Sequence, residues 1–159
     1  MARRHSGFHI LTFAAIAGGI LRLIEPLMER ALHGAGLYAF YVLIDVFLIL
    51  GFVGIGNAMA RLGKIGAAFG VIGLLMIRIG PVAGIALYQA GAALTLFGAA
   101  IIGVDILQRG AKSTLAAVLF IAALALGLAA LLPQMAMPAA LAAGIAFGLG
   151  FIVEGIVLL

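Results

Sequence analysis

The residues able to do chemistry in this chain are few, and most of them interrupt runs that are otherwise apolar. Arg22, Glu25 and Glu29 fall at i, i+3 and i+7, on one face of a helix. Asp45, Arg78 and Gln89 each stand in an apolar run of their own. Ionisable groups inside such runs are costly, and by default they mark sites of solute, ion or proton chemistry. Arg22, Glu25, Asp45, Arg78 and Gln89 are therefore the candidate polar cluster, two arginines against two carboxylates. In one role Asp45 binds a cation or carries a proton at a solute site. In the other, arginines and carboxylates bridge helices and neutralise one another, with the long arginine stems reaching toward headgroups. A second tier, Asn57, Asp105 and Glu154, lies near the opposite ends of the same runs. Asp105 and Glu154 are placed to pair with Arg109 or Lys112 or to cap their helices. For Glu154, close to the end of a long apolar run, the expectation is an interfacial carboxylate reaching water.

Other chemistries are argued against by the residues they would need. Cys is absent, which removes disulfides, thiolate metal sites and thiol catalysis. His5, His9 and His33 stand at or beyond the ends of apolar runs, too shallow for a bilayer-embedded haem. His5 and His9 have the i, i+4 spacing of a metal pair, but no third ligand accompanies them, so no metal site is expected. Lys64 and Lys112 fall in breaks between runs, where a buried Schiff base would not form, and Ser6 and Ser113 are equally peripheral. Gly54-x-Gly56-Asn57 resembles the GxGD signature of presenilin-type proteases, yet carries Asn where that signature has its catalytic Asp. A dyad of carboxylates is therefore missing. The expectation is a non-enzymatic chain with no catalytic residue and no cofactor.

The elements that must position the polar residues follow from composition. Of 159 residues, 67% are hydrophobic and 9% charged. Soluble domains carry about 25% charged residues, so the solvent here is lipid. A helix needs about 20 apolar residues to cross the hydrocarbon. The breaks predict six spans, at about 8–24, 36–60, 65–79, 82–107, 113–132 and 139–159, in a single integral membrane domain over 1–159. The first extends as a helix toward Leu32. Gly80-Pro81 is expected to end the third, and the stretch from Pro133 to Pro138 to turn between the last two. Arg3-Arg4 before an apolar stretch fits the start of a signal peptide, but no small-residue cleavage site follows promptly, and the first run reads as a retained helix. The fold class is all-α, a polytopic six-helix transmembrane bundle of short hairpins.

Basic residues then orient the bundle. With six spans, Arg3, Arg4, Arg61, Lys64, Arg109 and Lys112 all fall on one side, and the positive-inside rule makes both termini cytoplasmic, as in a bacterial inner membrane. The same scatter between spans argues against nucleic acid as the reason for the net charge of +4. Tyr38, Tyr41 and Tyr88 gather toward the other side, the place of an aromatic belt. Asn57-x3-Arg61-x2-Lys64 recurs as Asp105-x3-Arg109-x2-Lys112, and Gly51, Gly56 and Gly63 recur in nearly the same frame as Gly98, Gly103 and Gly110, the pattern of an internal two-helix repeat. Gly66/Gly70, Gly80/Gly84, Gly144/Gly148 and Ala14/Gly18 have the small-xxx-small spacing of close helix contacts. Two functions fit. One is a structural or accessory subunit held by helix–helix contacts in a homo-oligomer or with other membrane subunits. The alternative is a small transporter or channel for an ion or polar solute, using the outer-side polar cluster. The first is preferred on sequence; a continuous polar cavity reaching Asp45 from outside would overturn it, and full pairing of Asp45 with Arg22 or Arg78 with no cavity would overturn the second.

Overall fold

The structure, a computed structural model, describes residues 3–110 and 112–159; the side chains of residues 3–6 and of Val82 lie outside the described set. Among the described residues six helices follow one another: α1 (Arg3–Ala31), α2 (Ala35–Ala58), α3 (Arg61–Ala83), α4 (Tyr88–Gln108), α5 (Thr114–Ala129) and α6 (Ala136–Leu158). All but α5 are long and apolar enough to cross a membrane. With 16 residues, α5 is about 24 Å long at about 1.5 Å per residue. The chain is a helical membrane bundle.

The expected break at Gly80-Pro81 is corrected. Helix α3 runs through both residues to Ala83. Pro81 stands in the last turn, where its missing N–H costs a single helical bond. The stop is Gly84, at φ 66°, a left-handed conformation open to glycine at little cost. The Ile85 N–H then closes back on the Gly80 carbonyl at 2.9 Å. The start of α4 is thereby delayed to Tyr88, later than the sequence suggests. Pro138 acts in the opposite sense: it lies in the first turn of α6, where no helical bond is lost.

Each helix packs against its chain neighbours, and α6 returns to α1, closing a ring. Glycines set the antiparallel register. In α1 and α2, Gly51 meets Ala15 and Gly54 meets Leu11; in α1 and α6, Gly19 meets Gly148. Between α3 and α4, Gly66 meets Gly98 and Gly73 meets Gly91. A Cβ on Gly66 would stand 2.6 Å from the Gly98 carbonyl oxygen, and one on Gly19 2.5 Å from that of Gly148. Lipid offers no hydrophobic drive for helices to associate, so backbone approach of this kind is what holds them. Three of the small-residue pairs seen in the sequence thus lie at contacts, with Gly18 on Leu48, Gly70 on Phe52 and Gly148 on Gly19. The fourth, Gly80/Gly84, spans the last turn of α3 and its cap.

Four phenylalanines fill the middle of the ring. Phe151 packs edge-on against Phe52 at 4.8 Å and Phe120 at 5.5 Å between ring centres. Phe147 lies 4.9 Å from Phe151. Gly51 leaves room for the Phe151 ring and Gly150 for that of Phe120. Edge-to-face pairs contribute about 0.5–1.5 kcal/mol each beyond contact area. The start of α1, the α2–α3 and α4–α5 turns and the end of α6 share one end of the ring, with Arg61, Lys64, Arg109 and Lys112. The backbone of Arg3 and Arg4 is there too; their side chains lie outside the described residues. This is the basic end, and the opposite one is the far end.

Candidate functional site: a polar-walled cavity at the far end

A cavity of about 580 Å³ opens at the far end of the ring, and Arg22, Glu25, Asp45, Arg78 and Gln89 all line it. The helical face spaced by Arg22, Glu25 and Glu29 supplies the α1 portion; α2 adds Asp45 and Tyr41, α3 adds Arg78, and the start of α4 adds Tyr88 and Gln89. Four helices therefore bring together residues that are distant in sequence.

The charges are paired within that wall. The Arg78 Nε donates to Asp45 Oδ2, bridging α3 and α2. Arg22 Nη1 donates to Glu25 Oε2 along α1. Arg78 is also held over two rings, its guanidinium carbon 5.8 Å from the centre of Tyr38 and 5.5 Å from that of Tyr41. The Tyr41 hydroxyl donates to Glu29 Oε1 at 2.6 Å. Glu29 thus adds a third carboxylate beside the two-against-two set picked out in the sequence, a formal excess of one carboxylate in the lining.

The opposite wall has a different chemistry. Leu124, Gly127 and Leu128 of α5 face Ala140, Ala143 and Gly144 of α6, and Phe147 lies deeper on α6. Arg22 crosses toward this side, its Nε 3.5 Å from where a Cβ on Gly144 would stand. Thr95 also lines the cavity, but its hydroxyl is spent on the Gly91 carbonyl at 2.9 Å. Sequence reasoning missed this apolar wall and the phenylalanine cluster beneath it. Nothing in uniformly apolar helices separates a cavity-facing Ala or Leu from a lipid-facing one.

The second tier divides. Asp105, 3% exposed, pairs with Arg109 Nε at 3.2 Å and accepts the Ala60 N–H at 3.2 Å. It thus sits at the N-terminus of α3, where the helix dipole favours a negative charge. Arg109 reaches on to the Ala58 carbonyl at 3.5 Å and to the Met59 sulfur. Together they latch α4 to the α2–α3 turn. Asn57, its counterpart in the suggested repeat, is exposed instead. The interfacial place expected for Glu154 is corrected: its side chain is buried in the bundle. Among the described residues, no three His, Asp or Glu side chains gather as a metal ion would need.

Fold and site together define a helical-bundle membrane protein with an amphipathic cavity in one half. No protein-family model matches the chain, and neither a curated protein nor a solved structure matches it.

Proposed function

We propose that the chain is a small non-catalytic transporter or channel whose far-end cavity takes a solute with a positive charge and an apolar body. The observation that supports this reading is the convergence of five intramembrane polar residues from four helices on one cavity. A purely structural role requires the ion pairs but not the space between them. The class of solute follows from the walls, one with a formal excess of one carboxylate and with aromatic hydroxyls, the other of apolar residues. Glu29 is the carboxylate without an arginine of its own, and it would meet the positive group. The basic end faces the cytoplasm in this reading, in keeping with the positive-inside rule, and a bacterial inner membrane is the setting it implies.

The test uses radiolabelled tetraphenylphosphonium, with tetraphenylborate as the matched anion, on the purified chain in detergent. The expected result is saturable binding of the cation alone, weakened about tenfold, or ~1.4 kcal/mol, by Glu29→Gln and abolished by Gly144→Trp, which fills the cavity. Equal binding of both ions, or cation binding untouched by Gly144→Trp, refutes the proposal. The accessory-subunit reading draws support from the complete pairing of Arg78 with Asp45 and Arg22 with Glu25. It predicts a stoichiometric membrane partner, or a second copy, on gentle purification.

A further inference from the structure

Glu154 is held in a way that neither the ion pairs nor the cavity explains. It stands on α6 one turn beyond Phe151, on the basic-end side of the phenylalanine cluster. The residue is 2% exposed, and its Oε2 has no hydrogen-bond partner among the described residues. The polar groups that act on it come from the α4–α5 turn, the buried Ser113 and, farther off, the positive charge of Arg109. Arg109 is already committed to Asp105 at 3.2 Å, so one guanidinium serves two carboxylates.

The other elements packed on α6 bring no further charge among the described residues. From α1, Thr12 and Ile16 lie against Gly155. The Thr12 hydroxyl donates to the Phe8 carbonyl at 2.9 Å, and His9 is exposed. From α5 comes Phe120, against Gly150. From α2 comes Phe52, beside Phe151. An ionised carboxylate with a bare oxygen in these surroundings costs several kcal/mol. A proton on that oxygen removes the charge.

We propose that Glu154 is a proton-binding site, a carboxyl inside the bundle that exchanges its proton with the basic end past Ser113 and the half-exposed Arg109. A metal cation does not fit the same place. Hard cations take about six oxygen ligands; here there is one carboxylate and one hydroxyl, with a guanidinium nearby. Asp105 is engaged by Arg109 and by the Ala60 N–H. The site is separate from the far-end cavity and stands or falls independently of what that cavity binds.

Dicyclohexylcarbodiimide, an apolar reagent for protonated carboxyls, tests this on the full chain in lipid nanodiscs, with the adduct located by peptide mass spectrometry. Glu154 is expected to carry the dominant adduct in acid. Labelling should fall as pH rises and should vanish in Glu154→Gln. Glu25, Asp45 and Asp105, each bonded to an arginine, should label several-fold less. Infrared spectroscopy provides a reading that needs no reagent access: a protonated-carboxyl carbonyl band that persists near neutral pH, where the exposed Glu29 is ionised, disappears in alkali and is missing at neutral pH from Glu154→Gln. Absence of that band near neutral pH refutes the proposal, as does protection of Glu154 from the reagent by sodium ions, which would assign the site to a metal cation.

Discussion

Separating Asp45 from Arg78 should cost more than a surface ion pair is worth and less than a fully buried one. Their side chains are 12% and 27% exposed. Exposed pairs contribute about 0–1 kcal/mol, and removing one partner of a buried pair costs about 3–5 kcal/mol. The cavity lies between these limits. Asp45→Asn leaves the guanidinium its two tyrosine rings and a path toward the cavity mouth, and about 2 kcal/mol is expected. Arg78→Gln removes ion pair and rings together and leaves the less exposed carboxylate alone, for about 3 kcal/mol. The double variant leaves no stranded charge and should lose about 3 kcal/mol, not the roughly 5 of independent sites. The coupling, about 2 kcal/mol, is the measured quantity. Unfolding of all four proteins in mixed detergent micelles, followed by loss of helicity, supplies the cycle. Single effects that add to within about 0.5 kcal/mol refute the bridge as a stabilising contact between α2 and α3.

Gly98→Ala drives a methyl into the Gly66 carbonyl and the Gly70 backbone and should destabilise by about 1–3 kcal/mol; Gly7→Ala, helical and with nothing within 4 Å, should not destabilise in the same unfolding measurement and should gain up to about 1 kcal/mol. Phe151→Ala empties the centre of the ring, where that side chain is fully buried, and should cost about 3–5 kcal/mol in the same assay. Asp105→Asn weakens the latch on the α2–α3 turn and should cost about 1–2 kcal/mol while raising hydrogen exchange at Ala60. Cysteines placed at Lys64 and at Arg30 should react with an impermeant thiol reagent from opposite faces of sealed vesicles. Labelling of both from one face would break the antiparallel ring.

The sequence reveals much of the helical frame because charge is so scarce in it. Each Arg or Lys pair between apolar runs marks a turn at the basic end, and Arg22, Glu25, Asp45, Arg78 and Gln89 stand out against their neighbours. Their meeting in one cavity follows from depth along the spans, which counting residues can supply. Other features had no such signal. Pro81 reads as a break because proline usually is one, and only the left-handed Gly84 shows where α3 stops. Glu154 reads as interfacial from its distance to the chain end, yet the bundle encloses it, which no local pattern encodes. The apolar half of the cavity and the four phenylalanines were equally silent. In α5 and α6 nearly every position is apolar, and orientation is decided by which neighbour each residue meets.

The shortness of α5 bears on how the bundle meets the bilayer. A helix of about 24 Å falls short of a hydrocarbon layer roughly 30 Å thick. The turn that follows it is built for the difference. Leu131, Leu132 and Met135 in it, and Met137 in the first turn of α6, are exposed and oily, with Gln134 the polar side chain among them. Four of the turn's amides are satisfied locally, Ala130 to Leu126 at 2.9 Å, Leu131 to Leu128 at 3.1 Å, Leu132 to Ala129 at 3.1 Å and Met135 to Leu132 at 2.9 Å. Such a segment keeps few backbone donors that need water or headgroups. On this side of the ring the membrane must therefore either thin or wrap over the turn. The wall of the cavity made by α5 then ends below the headgroups, and acyl-chain length becomes a variable to which that rim responds.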